Sequence, residues 1–482
     1  MRVFVSGATG FVGRALVLRL RRDGHAVCAW VRDEARARSL LGAEVELVST
    51  QAPRERLVGA LAGCDAVVNF AGESVVGARW TAARKKALVD SRVGVTERLV
   101  DAMAAAERPR TLVSASAVGY YGDRGDETLD EESGAGEGFL ADLCRDWEEA
   151  ARRAEALGVR VVRLRIGVVF GREGGALAKL LPPFRAGVGG RVGTGRQFAP
   201  WIHLHDLVEI LAAALTDERL AGAVNAVAPA AITNAELTRS LGRAVHRWTP
   251  FPVPPLALRA AFGDGASALL HSQRVVPKRL LGLGFPFRYP TIDGALGDLV
   301  SNDAGAIEIG PAEARSVAPG MPRPRFELRT EAVVQVPVDE VFAFFAAPSN
   351  LGVMTPPRMR FRIVEQPREM SEGAEIEYRI RIGPLDRTWR TRIERWHPGV
   401  GFADSQLSGP YRIWWHEHGF RPVPEGTLME DRVSYGVPLG LLGRLANRLF
   451  LAPELRRIFA YRRDVIRLRF GMVEGARPEL RA

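Results

Sequence analysis

At 482 residues the chain is longer than one ordinary domain, so two to three are expected, and its 47% hydrophobic content is that of a globular protein. The net charge of +10 comes from 66 basic against 56 acidic residues, but only Lys85, Lys86, Lys179 and Lys278 are lysines. The arginines are spread among acids without a basic run or an aromatic-interleaved basic stripe, which argues against a nucleic-acid partner. No apolar run is long enough to span a bilayer, residue 3 already belongs to a core strand rather than to a leader, and Cys28, Cys64 and Cys144 show no C-x-x-C spacing; a reduced, cytoplasmic setting is expected.

The chain opens MRVFVSGATGFVG. Residues 3–5 read as a buried parallel strand, Gly7, Gly10 and Gly13 recur every three residues, and residues 14–22 continue as a helix. Gly7 lets the chain turn off the strand, Gly10 lets backbone N–H groups approach a pyrophosphate, and Gly13 lets helix and strand pack closely. The phosphates then meet the unpaired N–H groups and the positive end of the helix dipole. A second strand, 25–31, follows after one helix, as a right-handed βαβ dinucleotide unit requires. Arg32 ends that strand about twenty residues beyond Gly13, where an acid would pair with the ribose 2′-OH of NAD and an arginine with a 2′-phosphate; the expected cofactor is NADP(H). Asp33, its neighbour, points away if Arg32 points in.

Further strands are predicted at 43–48, 65–70, 111–116 and 160–166, with helices at 81–106 and 138–157. The alternation predicts a doubly wound parallel α/β sheet, which binds ligands at the C-terminal strand ends, where Gly7, Ala71, Ser114, Ser116 and Gly167 fall. Ser116 and Tyr121 follow a strand that ends beside the expected nicotinamide, where a hydroxyl can hold a carbonyl or pass a proton; strand-end serines also simply cap turns. Beyond residue 170 the pattern turns irregular and rich in glycine and proline, and a substrate lobe is expected mainly from 170–205 and 225–300. Arg196, Gln197, Trp201 and His203 lie in one segment facing the same crevice and are the candidate substrate contacts, although a lone histidine is more often a structural hydrogen-bonder.

Residues 301–325 read as a linker, 326–472 as a second domain and 473–482 as a tail. The second domain begins with a strand at 326–336 and a short helix at 339–345, continues with four to six alternating strands between 361 and 437, and closes with a helix over 439–470 broken near Pro453. Leu442, Leu445, Leu449, Ile458 and Phe459 recur on that helix at helical spacing, so an apolar cavity is expected between helix and sheet. His416 and His418 share a strand face, a spacing that can hold a metal, but no third ligand is evident and no metal site is expected. Trp414, Trp415 and Phe420 read as core or cavity wall.

GATGFVG, NFAGESV, SASAVGYYG, FLADLCRDWE, RIGVVFG, GRQFAPWIHLHDL and GFPFRYPTIDGAL together resemble an atypical extended short-chain dehydrogenase/reductase of the NAD-dependent epimerase/dehydratase, nucleoside-diphosphate-sugar epimerase-like group, over residues 1–300. VPVDEVFAFFAAPSNLGVMTPP, LSGPYRIWWHEHGF and the final helix resemble the START-like (SRPBCC) helix-grip superfamily, which includes polyketide cyclases and lipid-transfer proteins. The first resemblance implies that Gly7, Thr9, Gly10, Phe11 and Gly13 hold the pyrophosphate, that Phe70, Ala71 and Gly72 line the nicotinamide ribose side, and that Arg92 and Val169 complete the cofactor set. It also implies a Tyr-x-x-x-Lys pair four residues before a glutamate. Aligning that glutamate with Glu148 puts Leu140 and Cys144 at the two positions. Two functions are therefore expected: an NADP(H)-dependent oxidoreductase or epimerase acting on a small molecule, or a non-catalytic NADP(H) sensor, in either case joined to a domain for an apolar, lipid-like ligand.

Overall fold

The computed structural model describes residues 1–75, 77–300, 306–313, 317–318, 320–383, 385–438 and 440–473, so the expected tail lies outside the described residues save for Val473. The chain divides into two compact units, Met1–Glu34 with Val45–Ser301, and Ala35–Glu44 with Asn302–Ala482. Among the described residues no helix is long and apolar enough to cross a membrane.

The first unit is built on seven parallel strands: β1 (Arg2–Ser6), β2 (Ala26–Val31), β3 (Glu46–Ser49), β4 (Ala66–Asn69), β5 (Thr111–Ala117), β6 (Arg160–Ile166) and, after an excursion through β7 (Val168–Gly171) and β8 (Trp201–His203), β9 (Gly222–Ala226). Their order is β9-β6-β5-β4-β1-β2-β3, so the direction of winding reverses between β1 and β4 and leaves a crevice at their C-terminal ends. Val3, Phe4, Val5, Val67, Val68, Leu112 and Val113 are fully buried, as a sheet covered on both faces demands. Helix α1 (Phe11–Arg22) starts within the glycine turn. The helix expected over 81–106 is interrupted: α2 (Ala82–Val89) passes through a π turn at Asp90–Gly94 before α3 (Val95–Ala106). A π turn holds one extra residue and re-aims the side chains on it, here Ser91 and Arg92. Helix α4 (Phe139–Arg152) packs against α3 and β5.

The irregular stretch after 170 has a core of its own. Phe170, Leu177, Phe184, Trp201, Leu241, Tyr289 and Leu296 form one buried cluster, with β8 pairing in parallel with β7 and leading directly into α5 (Leu204–Thr216).

Among the described residues the second unit forms an eight-stranded antiparallel sheet: β10 (Ile307–Pro311), β11 (Phe326–Val334), β12 (Arg362–Glu365), β13 (Glu375–Ile382), β14 (Leu385–His397), β15 (Gly401–Ser408), β16 (Ile413–Val423) and β17 (Gly426–Gly436), in the order β10-β11-β17-β16-β15-β14-β13-β12. The expected linker thus contains an edge strand, β10, pairing with β11 from Ile307↔Thr330 to Pro311↔Phe326; Ile307 and Ile309 supply a short alternation hidden among glycines and prolines. Helix α6 (Val338–Ala346) and the long α7 (Ala452–Phe470) accompany the sheet. The break near Pro453 is a π turn at Asn447–Leu451, with the proline in the first turn of α7, where a missing N–H costs nothing. This corrects the expected apolar stripe: Leu442, Leu445 and Leu449 are 71%, 55% and 56% exposed, because the π turn puts them out of phase with Ile458 and Phe459, which do face the sheet.

Candidate functional site

Gly7 adopts φ +69°, and a Cβ there would lie 2.5 Å from the Phe70 carbonyl oxygen. A Cβ on Gly13 would lie 2.2 Å from the Gly7 carbonyl oxygen, so β1 and α1 meet at a distance only glycine permits. The Gly10 N–H donates to that same oxygen at 2.9 Å, closing the turn, and no side chain caps the N-terminus of α1 nor does an acid occupy its first turn. The uncapped N–H groups and the helix dipole suit a pyrophosphate there. Thr9 is half-buried beside it. The Phe11 ring is packed where side chains on Gly171 and Gly174 would be, its atoms 2.4 and 2.3 Å from their would-be Cβ positions; Phe11 holds the loop by packing, leaving its backbone to the helix terminus.

Beneath the crevice Ser6 Oγ donates to Asn69 Oδ1 (2.5 Å) and accepts the N–H groups of Phe70 (3.2 Å) and Ala71 (3.3 Å), while Asn69 Nδ2 and Trp147 Nε1 both donate to Thr96 Oγ1 (2.8 and 3.0 Å). This chain sets the path of Phe70, Ala71 and Gly72. Arg92 crosses from the π turn to donate to the Glu73 carbonyl oxygen at 2.7 Å and packs on Gly72, where a Cβ would be 3.2 Å from its Cζ. Arg32 stands 84% exposed just past β2, its guanidinium 3.3 Å from Glu73 Oε1. Val169 lies half-buried on β7, opposite Ile202, with its carbonyl accepting from Ala176 N–H.

The residues expected to move protons are arranged otherwise than the sequence suggests. Ser116 Oγ donates to Glu148 Oε1 at 2.8 Å, and Glu148 is gripped by Arg165 through Nε (2.8 Å) and Nη2 (3.1 Å), both side chains 4% exposed. Tyr121 is fully buried: its hydroxyl accepts from Arg165 Nη1 (3.0 Å) and lies 2.7 Å from Asn225 Oδ1 and 2.8 Å from the Asp130 carbonyl oxygen. Burial pushes this phenol up to about 12 despite the nearby guanidinium. Tyr121 is thus a spoke of a buried polar network centred on Arg165, which no local pattern in the sequence marks. Leu140 and Cys144 flank the turn after β5, 3.3 and 3.7 Å from a would-be Cβ on Gly119, and burial pushes the Cys144 thiol up to about 12.

Of the substrate candidates, Arg196 is exposed and Gln197 Nε2 donates to the Val192 carbonyl oxygen at 3.1 Å, tying its own loop. Trp201 and His203 belong to the interior. Trp201 is 1% exposed and stacks on Phe170 at 6.0 Å between ring centroids. His203 caps α5, its Nδ1 accepting the His205 N–H at 3.0 Å, and stacks on Tyr289 at 3.9 Å; burial pulls its pKa below the usual value. Alternation puts both on one face of β8, where Trp201 joins the core cluster of the lobe and His203 packs on that cluster's Tyr289.

The second unit encloses an apolar cavity of about 190 Å³ between α7 and the sheet, walled by Phe345, Tyr378, Trp389, Tyr411, Trp414, Ile458 and Phe459. Its polar end carries Asp404, His416, His418 and Arg462. A carboxylate that sequence spacing does not reveal joins the two histidines through register: Asp404 of β15 lies opposite His416 of β16. One ligand atom from each of Asp404, His416 and His418 lies within 4.8 Å of the others. Burial and the neighbouring His418 push His416 down to about 4, so its imidazole is neutral.

Residues 3–226 match the model of the NAD dependent epimerase/dehydratase family, and residues 253–299 match a domain of unknown function (DUF1731). The SDR39U1 homolog of Arabidopsis thaliana, a chloroplastic epimerase family protein, is 41% identical over 299 residues, covering 61% of this chain and 86% of the relative. The epimerase family protein Mb2239 of Mycobacterium bovis is 45% identical over 296 residues, covering 61% and 96%. The crystal structure of human SDR39U1 with NADPH superposes with a TM-score of 0.57 at 37% identity, covering 63% of this chain and all of that one. A nucleoside-diphosphate sugar epimerase from Corynebacterium glutamicum gives 0.51 at 35% identity, covering 62% of this chain and 58% of that one. With its glycine loop, its seven-stranded parallel sheet and these relatives, the chain belongs to the NAD-dependent epimerase/dehydratase family and is SDR39U1-like over its first unit.

Proposed function

We propose that the first unit holds NADP(H) without the tyrosine–lysine proton chemistry usual among extended dehydrogenases, that the second unit is a START-like holder of an apolar molecule, and that the chain works as an NADP(H)-responsive binding protein. One combination carries this reading: the chain keeps an uncapped glycine loop fit for a pyrophosphate, yet has Leu140 and a buried Cys144 thiol at the two positions where the family resemblance expects tyrosine and lysine. Lysine normally lowers the pKa of the proton-donating tyrosine toward neutrality; here Cys144 stands at the aligned lysine position and burial pushes the Tyr121 phenol up to about 12. The NADPH bound by the human relative and the exposed Arg32 support the phosphorylated nucleotide. When bound, the nucleotide supplies a hydride donor; Arg92, Gly72 and the Ser6–Asn69 network shape the wall it meets.

A second reading, a reductase or epimerase for a small molecule, is favoured by Ser116, which the strand end still presents with its hydroxyl oriented by Glu148. Calorimetric titration with NADPH and NADH, followed by NADPH oxidation against a carbonyl panel across pH, separates the two. Tight NADPH binding without turnover is expected. Turnover abolished by Ser116→Ala would establish the second reading instead, and no binding of either nucleotide would end both. For the second unit, saturable binding of an apolar fluorescent probe, lost on filling the cavity by Ile380→Trp, is the expected result; no probe binding by the folded wild type would argue for a structural role.

A further inference from the structure

The polar end of the second unit's cavity is assembled by three neighbouring strands. His416 and His418 leave β16 on one face, Asp404 stands opposite His416 on β15, and Asp431 stands opposite His418 on β17. Asp404 Oδ2 is 3.6 Å from His416 Nδ1 and 3.9 Å from His418 Nε2; Asp431 Oδ1 is 3.4 Å from His416 Nε2 and 2.6 Å from His418 Nδ1. Each imidazole therefore turns one nitrogen toward each carboxylate. A neutral imidazole has a single N–H. If both protons point to Asp431, the nearer carboxylate, then two ring lone pairs and a carboxylate oxygen converge on the Asp404 side, at separations too long for hydrogen bonds. Such a convergence of electron pairs is what a cation fills. Asp404 keeps 15% of its side chain exposed on the cavity wall, while His416 and His418 keep 8% and 4%, so the cluster is closed behind and open in front.

We propose that Asp404, His416 and His418 bind a first-row transition-metal dication, with Asp431 orienting both imidazoles and the fourth coordination position opening into the apolar cavity. In tetrahedral coordination with bonds of about 2.0–2.1 Å, ligand atoms sit roughly 3.3 Å apart; Asp404 Oδ2 stands 3.6 and 3.9 Å from the two ring nitrogens and all three ligand atoms lie within 4.8 Å of one another, so side-chain rotation has to draw them together on a metal. Two imidazoles and one carboxylate suit zinc or ferrous iron and not the oxygen-seeking calcium or magnesium. A carboxylate behind a ligating imidazole fixes its tautomer and raises its basicity, which is the place Asp431 takes. The two carboxylates and the Arg462 guanidinium leave one negative charge, which a dication turns into one positive charge. The ligand that fits is an apolar molecule bearing a single anionic oxygen. This site stands apart from the nucleotide reading of the first unit, and its metal binding is measured without any nucleotide.

Full-length protein stripped with a chelator is titrated with Zn²⁺ by calorimetry, and a Cu²⁺-loaded sample is examined by electron paramagnetic resonance. One equivalent of Zn²⁺ and hyperfine coupling from two imidazole nitrogens are expected. Asp431→Asn should weaken Zn²⁺ binding by about 10–100-fold, and Asp404→Asn and His416→Gln should weaken it further. The resonance measurement uses the wild type alone and decides the matter even where a variant fails to fold. Absence of stoichiometric binding, coupling from fewer than two imidazoles, or folded variants that bind Zn²⁺ as the wild type does would overturn the proposal.

Discussion

Arg32 offers the sharpest test of cofactor choice. Its guanidinium is 84% exposed and 3.3 Å from Glu73 Oε1, and the 38% exposed Glu73 is also 3.6 Å from Arg84. An exposed pair of this kind contributes about 0–1 kcal/mol, so Arg32→Ala costs the nucleotide-free protein little. A guanidinium clamping the 2′-phosphate is charge-assisted and two-pronged, and its loss should cost about 1.5–3 kcal/mol, which is roughly 10–150-fold in affinity for NADPH. NADH has no phosphate at that position and should bind Arg32→Ala as it binds the wild type. Glu73 competes for the same guanidinium, so Glu73→Gln should tighten NADPH by up to about fivefold, the value of the pair it removes. The Arg92 and Ser91 contacts of Glu73 go to its main chain and survive that change. Isothermal calorimetry of both variants with both nucleotides reads all four values. Equal weakening of NADPH and NADH by Arg32→Ala, or none of either, would refute the assignment.

Three further outcomes follow from packing and charge. Gly13→Ala places a methyl group 2.2 Å from the Gly7 carbonyl oxygen, so it should destabilise the first unit by about 1–3 kcal/mol and weaken nucleotide binding with it; calorimetric unfolding that matches wild type would contradict the close approach. Glu148→Gln strips the carboxylate from a buried pair and should cost about 3–5 kcal/mol, whereas replacing Glu148 and Arg165 together by Leu and Met should cost far less; denaturant unfolding of the single and double variants measures the difference. Because His203 is held neutral below its usual pKa, the unfolded chain binds the extra proton, so stability is full above about pH 6.5 and falls as pH drops below it. His203→Asn keeps an acceptor at the cap without the titration and should reduce that acid-side slope by up to about 1.4 kcal/mol per pH unit in thermal scans.

Strand and helix positions in the first unit, and the turn at Gly7, were legible in the sequence by itself because they are decided locally. A positive φ, a valine run buried on both faces, and a helix opening at Phe11 each depend on residues within a few positions. The alternating strands of the second unit were readable for the same reason, whereas the edge strand Ile307–Pro311, with glycine and proline inside it, needed β11 beside it to exist. The sites depended on distance along the chain. Tyr121 is tied to Arg165 and Asn225, Phe11 finds its seat on Gly171 and Gly174, and His416 meets Asp404 across a strand pair. Sequence periodicity tells which face a side chain takes but carries no information about which strand lies opposite, or in what register. Only the tertiary structure decides that, because pairing is settled by the burial and hydrogen bonding of the whole sheet at once.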